Sequence, residues 1–550
     1  MRCVVACGAF AASLLFASPH AFAGLGFSDP IAIEKGANND TNPDSGPRLE
    51  WGNGVWIASW HKGDLAVETD VVISRSVDNG ATWSEPVALN DNADTDSVPD
   101  YSIRTATDGA GNWVAIWVID LGFASNIANS SIMVSHSSDD GATWSDPEVL
   151  STKADIYSTF ALLFAAGTPL PWLSTDAQGN WLAAWRCSVP TDASGDIDIL
   201  CSHSEDNGET WSSPAPVSPA GDTVNDSGPR LVSIGTGRWM IMWNYADFLV
   251  ADGLLVARSN NNGESWGLPT TLQNYGASDT VRRAIQRLDS DGDGTWIGIG
   301  DVTDWDLSGS IPLPTTDSDI FLIRSEDNGR TWTEPVVVNS NASNPALNDG
   351  IGSLTTDKQG NWMLAWTTGN TQIPDPDTDL SACFSTDNGV TWTSRVTINS
   401  NARKDGGDDA FTGVKTDGLG NWVVTWSSNN ILPGNTDNED TDIHATTSTL
   451  TTGDNLFVLS PDGGEQWETG KRRAIEWLSV GNVGKRVNIN LLRNDQLVAE
   501  LKDRVLNDGL FKWRIPAETE PGAKYSVQVI SRDNPAISDT SDGRFRIVLP

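Results

Sequence analysis

The sequence predicts an all-β protein that is built mainly from one repeated unit. Short runs of alternating apolar and β-branched residues are separated by turns rich in Gly, Asp and Asn, which is the pattern of strands and tight turns. A Trp leads one such run in each unit, and it recurs in steps of 57 to 68 residues along the 550-residue chain. The seven leading Trp residues are Trp56, Trp113, Trp181, Trp239, Trp296, Trp362 and Trp422.

Each unit supplies four predicted strands, which is the content of one blade of a β-propeller. The seventh unit ends in "DIHATTSTL" without a fourth strand, whereas "FSDPIAIE" from Phe27 matches the fourth-strand segment "WSEPVALN" from Trp83. An N-terminal strand that completes the last blade would close the ring and remove an open sheet edge. The sequence therefore predicts a seven-bladed propeller closed by its first strand. Six blades are the alternative, if one unit is displaced.

One octapeptide pattern, first seen as "SVDNGATW" at residues 76–83, occurs six times in the chain. Its third residue is an acceptor for backbone N–H groups of a hairpin, its Gly adopts a positive φ, and its Trp fills space between strands. One copy, "SNNNGESW", has Asn in place of Asp, as a turn role permits. The residues predicted to hold these turns are Asp78, Asp139, Asp206, Asn261, Asp327 and Asp387.

The S-x-D-x-G-x-T-W octapeptide resembles the Asp-box, or BNR repeat, of sialidases and related propellers. The resemblance covers about residues 27–450, so we assign residues 24–452 to a sialidase-like propeller domain. It implies that ligands bind on the face opposite the Asp-boxes. It is less specific for activity, because Asp-boxes occur in several glycosidases and also in non-enzymatic receptors.

Residues 453–550 have a different pattern, with short strands and more basic residues. The stretches "SPDGGEQW", "IEW", "VNINLL" and "KWRIP" resemble the Ig-like domain of Ser/Thr-rich, GPI-anchored fungal cell-wall proteins linked to β-glucan synthesis. We expect an Ig-like β-sandwich here. The resemblance implies an accessory role at a surface or polysaccharide.

The first 23 residues have one Arg, an apolar stretch and the pattern Ala21-Phe22-Ala23, which is typical of a secretory signal peptide cleaved near Ala23. We therefore expect a secreted or cell-surface protein. No later stretch is long and apolar enough to span a membrane. The formal net charge of −38 disfavours nucleic acid as a partner. We expect a monomer that binds a glycan or a cell-surface polysaccharide.

An acidic residue stands just before each predicted first strand, on the face that the resemblance assigns to ligands. These residues are Asp44, Asp100, Asp226, Asp279, Asp349 and Asp409, with Asp155 as a looser match. They are interpreted either as a ring of ligand-face carboxylates or as a repeated structural feature. Asp44, Asp100 and Asp226, with Tyr101 and Tyr245, are the candidate catalytic residues. No cofactor or metal is required, although "DSDGDGTW" from Asp289 is a calcium-loop candidate as well as an ordinary turn.

Arginines at the same level are candidates for binding a substrate carboxylate, as the three arginines of sialidases do. They are Arg48, Arg104, Arg230, Arg282 and Arg283, and Trp305 in a predicted loop is the candidate for stacking on a sugar. Pairing of these arginines with the acidic ring is the alternative. The sixth first strand, "NDGIGSL", lacks the Tyr that the sialidase mechanism uses.

Cys187 ends one predicted strand and Cys201 lies in the next, so we expect them to form a disulfide. For the whole chain, three functions stay open. The first is a secreted sialidase-like propeller that recognises glycans, and the second is an exo-acting glycoside hydrolase of sialidase type. The third is a structural or adhesive surface protein.

Overall fold

The computed structural model describes the chain in segments. These are residues 27–34, 43–64, 68–90, 98–120, 130–151, 171–187, 197–219, 225–247, 251–274, 281–306, 313–338, 347–350, 352–370, 378–393, 395–398, 408–429, 441–449, 455–461, 465–480, 483–494, 496–507, 509–541 and 544–549. Their regular structure is all β, as the sequence predicts. In these segments we find no helix of the length and apolarity that a membrane crossing needs. The chain divides into two compact units, Phe27–Thr449 and a second that contains Leu450–Pro550.

The unit Phe27–Thr449 contains strands β1 to β29. The first seventeen are β1 Ile31–Ala32, β2 Asp44–Gly52, β3 Val55–Asp64, β4 Glu68–Ser76, β5 Val87–Ala88, β6 Asp100–Thr107, β7 Trp113–Asp120, β8 Ser130–Ser137, β9 Glu148–Ser151, β10 Trp172–Thr175, β11 Trp181–Cys187, β12 Asp198–Ser204, β13 Ala215–Pro216, β14 Asn225–Gly235, β15 Arg238–Asp247, β16 Ala251–Ser259 and β17 Thr270–Asn274. The others are β18 Val281–Ser290, β19 Trp296–Asp306, β20 Leu313–Ser325, β21 Val336–Val337, β22 Leu347–Asp349, β23 Ser353–Thr356, β24 Trp362–Asn370, β25 Thr378–Ser385, β26 Val396–Thr397, β27 Asp409–Thr416, β28 Asn421–Ser428 and β29 Asp442–Thr449.

These strands form seven antiparallel sheets, which we number along the chain. Sheet 1 is β2–β5, sheet 2 is β6–β9, sheet 3 is β10–β13, sheet 4 is β14–β17, sheet 5 is β18–β21, sheet 6 is β22–β26, and sheet 7 is β27, β28, β29 and β1. The first strands of consecutive sheets contact one another, and β27 of sheet 7 contacts β2 of sheet 1. The seven sheets are therefore arranged in a ring.

The N-terminal segment completes sheet 7, as its match to the fourth-strand pattern predicts. Ile31 and Ala32 of β1 pair with Ala445 and His444 of β29. The backbone N–H of Ile33 donates to the carbonyl of Ile443 at 2.8 Å, and the Ile33 side chain is buried. The two ends of the unit Phe27–Thr449, more than 400 residues apart in sequence, therefore share one sheet. This pairing covers the edge that β29 would otherwise expose.

Each Asp-box lies between the third and fourth strands of its sheet and has the predicted hairpin role. In sheet 2, the carboxylate of Asp139 accepts hydrogen bonds from the backbone N–H of Thr143 at 2.8 Å and from its hydroxyl at 2.7 Å. These two bonds lower the pKa of Asp139 to about 2. In sheet 4, Asn261 accepts the corresponding backbone N–H, from Ser265, at 3.2 Å. The amide therefore replaces the carboxylate as an acceptor without its charge.

The boxes also join neighbouring sheets, a role that the sequence pattern does not reveal. The Gly of each box has a positive φ and packs directly on the second strand of the preceding sheet. A Cβ on Gly141, for example, would lie only 2.4 Å from Cδ1 of Ile57. The contacts are Gly80 with Val423, Gly141 with Ile57, Gly208 with Val114, Gly263 with Leu182, Gly329 with Met240, and Gly389 with Ile297. The contact of Gly80 with Val423 joins sheet 1 to sheet 7.

The core of this unit lies between adjacent sheets. The second strands carry two fully buried Trp side chains in most sheets, such as Trp113 and Trp117 of β7. Trp113 packs with Ile57 and Val71 of sheet 1, whereas Trp181 of sheet 3 packs with Val114 of sheet 2. Each second strand thus contributes to the contacts on both of its sides, and burial of these large indoles is the main apolar contribution to stability.

The unit that contains Leu450–Pro550 comprises two sheets, β30-β32-β35 and β31-β38-β36-β33-β34, with β37 paired to β36. Their strands are β30 Asn455–Ser460, β31 Gln466–Glu468, β32 Arg472–Val480, β33 Arg486–Arg493, β34 Gln496–Leu506, β35 Leu510–Arg514, β36 Gly522–Ser531, β37 Ser538–Thr540 and β38 Phe545–Val548. One core includes Trp467, Trp477, Trp513 and Tyr525. The hydroxyl of Tyr525 donates to the carbonyl of Glu520, five residues earlier, at 2.6 Å, which resembles the tyrosine corner of Ig-like sandwiches.

Candidate functional site

The first strands of the seven sheets place one residue each at a common level. In every sheet this residue is paired with the position three residues after the leading Trp of the second strand; Arg104, for example, is opposite Ile116. We call these residues the arginine layer. They are Arg48, Arg104, Trp172, Arg230, Arg287, Ser353 and Gly413. Four of the seven are arginines, although the unit as a whole is rich in acids.

Three of these arginines meet at Trp172. The guanidinium carbon of Arg230 lies 4.7 Å from the centre of the indole ring, that of Arg104 lies 5.3 Å from it, and that of Arg287 lies 6.0 Å from it. Arg104 is on sheet 2 and Arg287 is on sheet 5, which are not neighbours. Their side chains therefore reach the same indole only across the middle of the ring. The indole N–H donates to the carbonyl of Leu231 at 3.0 Å, which fixes the ring plane.

Burial lowers the pKa of all three guanidinium groups, and the charge of a neighbouring arginine lowers the pKa of Arg104 and Arg230 further. Removal of water lowers the pKa of Arg104 to about 9, with a smaller contribution from the charge of Arg287. Burial likewise lowers the pKa of Arg287 to about 10. The pKa of Arg230 is also lowered, first by burial and then by the charges of Arg287 and Arg104. A group whose pKa is 9 or 10 still carries its proton at pH 7, so Arg104 and Arg287 are cationic there.

Arg230 and Arg287 donate hydrogen bonds to backbone carbonyls, which we do not find for Arg104 within the described segments. Arg230 donates to the carbonyls of Gln286 and Pro229, and Arg287 donates to the carbonyl of Gln286 at 2.8 Å. Among the residues that the structure describes, none accepts a hydrogen bond from the buried Nε of Arg104. Within the described segments, no carboxylate forms an ion pair with any of these three arginines. The geometry is that of a small cationic cluster whose charge no described carboxylate neutralises.

A second layer of residues lies two positions further along each first strand, on the same strand face as the arginine layer. It contains Glu50, Lys415 and Asp289, each opposite the residue that follows a leading Trp. The Nζ of Lys415 lies 3.0 Å from Oε2 of Glu50, and the charge of Asp289 also acts on Lys415 and raises its pKa against the effect of burial. Glu50 and Asp289 thus interact with Lys415. By contrast, we find no ion pair between an arginine of the arginine layer and a carboxylate among the described residues.

A β-bulge separates the acidic ring from the arginine layer. In sheet 2 the pairing register shifts between Tyr101 and Arg104, and Ser102 between them has a φ of 57°. From Asp100 to Arg104 the first strand advances four residues, while its partner advances three, from Ile119 to Ile116. An odd step on the partner strand means that Asp100 and Arg104 point to opposite faces. Equivalent shifts precede Arg48, Arg230, Arg287 and Gly413.

The described carboxylates of the acidic ring are buried, and those of Asp100, Asp349 and Asp409 accept hydrogen bonds from core side chains. Oδ1 of Asp100 accepts the indole N–H of Trp117 at 2.7 Å, and Oδ2 accepts the amide of Asn90 at 3.3 Å. Asp349 accepts the indole of Trp366 at 2.8 Å, and Asp409 accepts that of Trp426 at 3.0 Å. Asp44 and Asp226 are buried to the same degree. These contacts support the interpretation of the ring as a repeated structural feature.

Sheet 5 departs from the predicted ring. The ring position of sheet 5 is Arg283, opposite Val302, and not an acid. Asp155 and Asp279 lie outside the described residues. The calcium-loop candidate has turn geometry, since Oδ1 of Asp291 accepts the backbone N–H groups of Asp293 at 2.8 Å and Thr295 at 2.9 Å.

The two candidate tyrosines lie at the same end of the sheets as the acidic ring. Tyr101 follows Asp100 and is 7 % exposed. Tyr245 is paired with Asp226 across sheet 4, and partial burial raises its pKa. Near them, Nε2 of His61 lies 2.5 Å from the Ser45 hydroxyl, and burial lowers the pKa of His61 to about 4. The catalytic role of Tyr101 and Tyr245 stays a prediction.

The predicted substrate-binding residues fall into two groups. Arg48, Arg104 and Arg230 belong to the arginine layer, and the last two meet at Trp172. Arg283 and Arg282 lie near the start of β18, outside the arginine layer. They pair with Val302 and Thr303, which are three and four positions beyond Ile299, the partner of Arg287. Trp305 was expected in a loop, but it belongs to β19 and is paired with Pro314, because the hairpin of β19 and β20 is longer than the pattern indicates.

Two residues of the site, Arg287 and Trp172, were missed by the sequence prediction. Both lie four residues before the Asp of the turn that precedes the leading Trp, as does Arg104 before Asp108. Counting backward from this turn aligns the layer correctly. Counting forward from the strand start does not, because the number of residues before the bulge position differs between sheets.

The predicted disulfide between Cys187 and Cys201 is wrong. In the pairing of β11 with β12, Cys187 is opposite Asp198 and Cys201 is opposite Ala184, so the two residues are three register positions apart. An odd offset puts them on opposite faces. Cys187 packs with residues of sheet 2, and Cys201 packs with residues of sheet 4. Cys201 Sγ instead lies 3.2 Å from the indole nitrogen of Trp266.

We therefore expect a protein produced from Gly24 onward to titrate as three thiols after denaturation, for Cys187, Cys201 and Cys383. A reductant should leave the melting temperature unchanged, since no cross-link is lost. Thiol titration in denaturant and thermal unfolding with and without reductant measure this. Burial also raises the pKa of Cys201 to about 11 and raises that of Cys383, so both should react slowly in the folded protein. A count of one thiol would show that two of the three cysteines form a disulfide, as the sequence predicts.

Comparisons with known proteins address the two units separately. Residues 460–547 match the family of the Kre9/KNH-like N-terminal Ig-like domain, which confirms the Ig-like domain expected from the sequence. No curated protein sequence matches the chain significantly. Among solved structures, the chain is similar to the NanB sialidase from Streptococcus pneumoniae, with 12% identity, 76% of this chain and 70% of that chain covered, and a TM-score of 0.39.

Two other solved structures have comparable similarity. A polysaccharide lyase of family PL25, an ulvan lyase, has 13% identity, covers 77% of this chain and 94% of its own, and gives a TM-score of 0.45. The α-L-arabinanase of Penicillium chrysogenum has 14% identity, covers 77% and 98%, and gives a TM-score of 0.36.

Proposed function

We propose that this chain is an exported, glycan-recognising protein, and that its arginine layer binds an acidic group of the glycan. In this proposal the leader is cleaved near Ala23, the seven sheets are the blades of a closed seven-bladed propeller, and the mature protein is a monomer. The observation that carries the proposal is the meeting of Arg104, Arg230 and Arg287 at Trp172 with no carboxylate partner among the described residues.

The energetics of this cluster favour an anion. Three guanidinium groups have left water and repel one another, which lowers the pKa of Arg104 and Arg230. The indole of Trp172 offsets part of that cost through cation–π contacts, which are worth about 2 kcal/mol or more when desolvated. A carboxylate or sulfate among the guanidinium forks would supply both charge and hydrogen-bond acceptors, including one for the Nε of Arg104.

The position of the site supports a ligand of sugar type. The arginine layer lies in the middle of the ring, between the acidic ring at one end of the first strands and the Lys415 layer towards the Asp-box end. An inorganic anion could be bound without a frame of seven sheets. An acidic group that projects from a larger molecule, such as a glycan, would enter the middle of the ring from the ligand face. The Ig-like domain then serves as an accessory module that faces the same polysaccharide.

Binding is favoured over hydrolysis by the described carboxylates. Most glycosidases use two carboxyl groups about 5–10 Å apart that flank the scissile bond, whereas sialidases use a Tyr nucleophile together with carboxyl groups. The acids of the ring at this end, such as Asp100 and Asp349, are buried and bonded to Trp side chains. Hydrolysis of sialidase type is the alternative, and the pairing of Asp226 with Tyr245 is the observation that favours it. A purely structural or adhesive role is the remaining alternative. It would leave the cationic arginine layer without a function.

A glycan array with the mature chain tests the proposal. We expect binding to glycans that bear sialic acid, uronate or sulfate, and a loss of at least about tenfold in affinity when the acid is reduced or removed. A parallel screen of aryl glycosides, including one of sialic acid, should show no turnover. Equal binding of acidic and reduced glycans would refute the proposal. Absence of all glycan binding would favour the structural role, and turnover would favour the hydrolase.

A further inference from the structure

The Asp-boxes of sheets 3 and 4 bring one His and two Glu side chains together, on the face opposite the acidic ring. His203 immediately precedes the box of sheet 3, Glu205 is the second residue of that box, and Glu264 is the sixth residue of the box of sheet 4. One ligand atom from each side chain lies within 4.8 Å of the other two. His203 is half-buried and both glutamates are exposed, so the cluster is open to solvent.

The other copies of the repeat show what is unusual here. In three sheets the residue before the box is an arginine that donates to a backbone carbonyl of the next box. Arg75 donates to Asp140 at 2.9 Å, Arg324 donates to Asn388 at 2.8 Å, and Arg258 donates to Gly329. Sheet 3 has His203 at this position and therefore lacks the guanidinium that joins these other pairs of sheets.

Two amide groups orient the carboxylates of the cluster. Asn262 donates to Oε1 of Glu205 at 3.2 Å, and its own carbonyl oxygen accepts the indole N–H of Trp239 at 3.0 Å. Asn261 donates to Oε2 of Glu264 at 3.4 Å. Asn261 stands where the other five boxes have Asp, whose carboxylate could not donate this bond. Each glutamate thus keeps one oxygen that accepts no bond from these amides.

The cluster carries uncompensated negative charge. In the part of the chain that the structure describes, neither Glu205 nor Glu264 forms an ion pair with a Lys or Arg. One imidazole nitrogen and two carboxylate oxygens from three side chains are a ligand set that Zn²⁺ accepts, at about 2.0–2.2 Å from each atom, with water as the fourth ligand. Imidazole is not a ligand that Ca²⁺ or Mg²⁺ favours.

We propose that His203, Glu205 and Glu264 form a zinc site that joins sheet 3 to sheet 4. The ion takes the place of the arginine contact that joins sheets 1 and 2, sheets 4 and 5, and sheets 5 and 6. Asn262 and Asn261 act as positioning residues for the two carboxylates, since amide donors in the outer shell of a metal site fix its ligands. The site is independent of the arginine layer, so it stands whether or not the protein binds a glycan.

Zinc binding to the mature chain, produced without a histidine tag, tests this proposal. Equilibrium dialysis against Zn²⁺ with elemental mass spectrometry should give one ion per chain, and Co²⁺ should give a visible absorption band of a four-coordinate site. Zn²⁺ should raise the melting temperature, because it binds the folded chain at a contact between sheets. The substitutions His203→Gln and Glu264→Gln should each weaken binding by at least about tenfold.

His136→Gln is the matched control, because His136 occupies the equivalent position in sheet 2, where the second box residue is Ser138. This variant should bind Zn²⁺ as the unchanged protein does. Glu264 is exposed, so Glu264→Gln remains informative even if His203→Gln does not fold. The proposal fails if the unchanged chain binds no zinc. It also fails if His203→Gln and Glu264→Gln bind it as tightly as His136→Gln does.

Discussion

Replacing Arg104 with Met should weaken binding of an acidic glycan while it leaves the fold as stable as before or more stable. Truncating one partner of a buried charge pair costs about 2–5 kcal/mol of binding free energy, so the Kd should rise by about 30-fold or more. In the unliganded protein the same change removes a buried cation without a carboxylate partner and relieves its repulsion from Arg230. The free energy of unfolding should therefore not fall.

Arg104 suits this test better than the other two arginines. Its Nε has no hydrogen-bond partner, whereas Arg230 and Arg287 donate to backbone carbonyls, and their loss would disturb the fold. Calorimetric titration with the acidic glycan and denaturant unfolding provide the two readouts. Arg75→Met is the control, because Arg75 joins sheets 1 and 2 at the Asp-box face. It should lower stability and leave affinity unchanged. A destabilised Arg104→Met that binds normally would show that the cluster is structural.

Replacing Asp100 with Ala should lower the free energy of unfolding by about 2–5 kcal/mol. The indole N–H of Trp117 and the amide of Asn90 would each lose an acceptor in the core, and a buried donor left without one costs about 1–3 kcal/mol. Asp100→Asn keeps one carbonyl oxygen for Trp117, so it should cost much less. Chemical denaturation measured by Trp fluorescence gives both values.

This pair of variants also separates a structural Asp100 from a catalytic one. If Asp100 acts only in the core, Asp100→Asn should keep its glycan affinity. A catalytic carboxylate would instead make Asp100→Asn fold normally and lose a measurable turnover. Glu148→Ala, an exposed acid on the same sheet, is the control and should change stability by no more than about 0.5 kcal/mol.

The sequence predicted the frame of the protein well because the frame depends on local signals. The Asp-box sets its own hairpin within eight residues, as the bonds from Thr143 to Asp139 show. Alternation predicted the strands, and the likeness of residues from Phe27 to a fourth strand predicted that β1 would pair with β29. Each of these inferences needs only a short stretch of chain or a comparison between copies of the repeat.

The candidate site was predicted only in part, since it depends on which way a side chain faces. Arg104 and Arg230 were identified, but Arg287 and Trp172 were not. The bulge after Tyr101 adds one residue and reverses the face, so acids and arginines that look adjacent in sequence point apart. The same property of strands, an offset of three positions, separates Cys187 from Cys201 and excludes the expected disulfide.

By itself, the sequence determined that this protein is a repeat of four-stranded β units with Asp-box hairpins, followed by an Ig-like domain. Repetition and turn chemistry can be recognised in short stretches of the sequence. The tertiary structure decided what the repeats bring together. Only the closing of seven sheets into a ring places Arg104, Arg230 and Arg287 around one indole. Only the contact of neighbouring boxes places His203 beside Glu264. The residues of both clusters come from different copies of the repeat, at positions where the copies differ. A periodic pattern in the sequence therefore does not predict them.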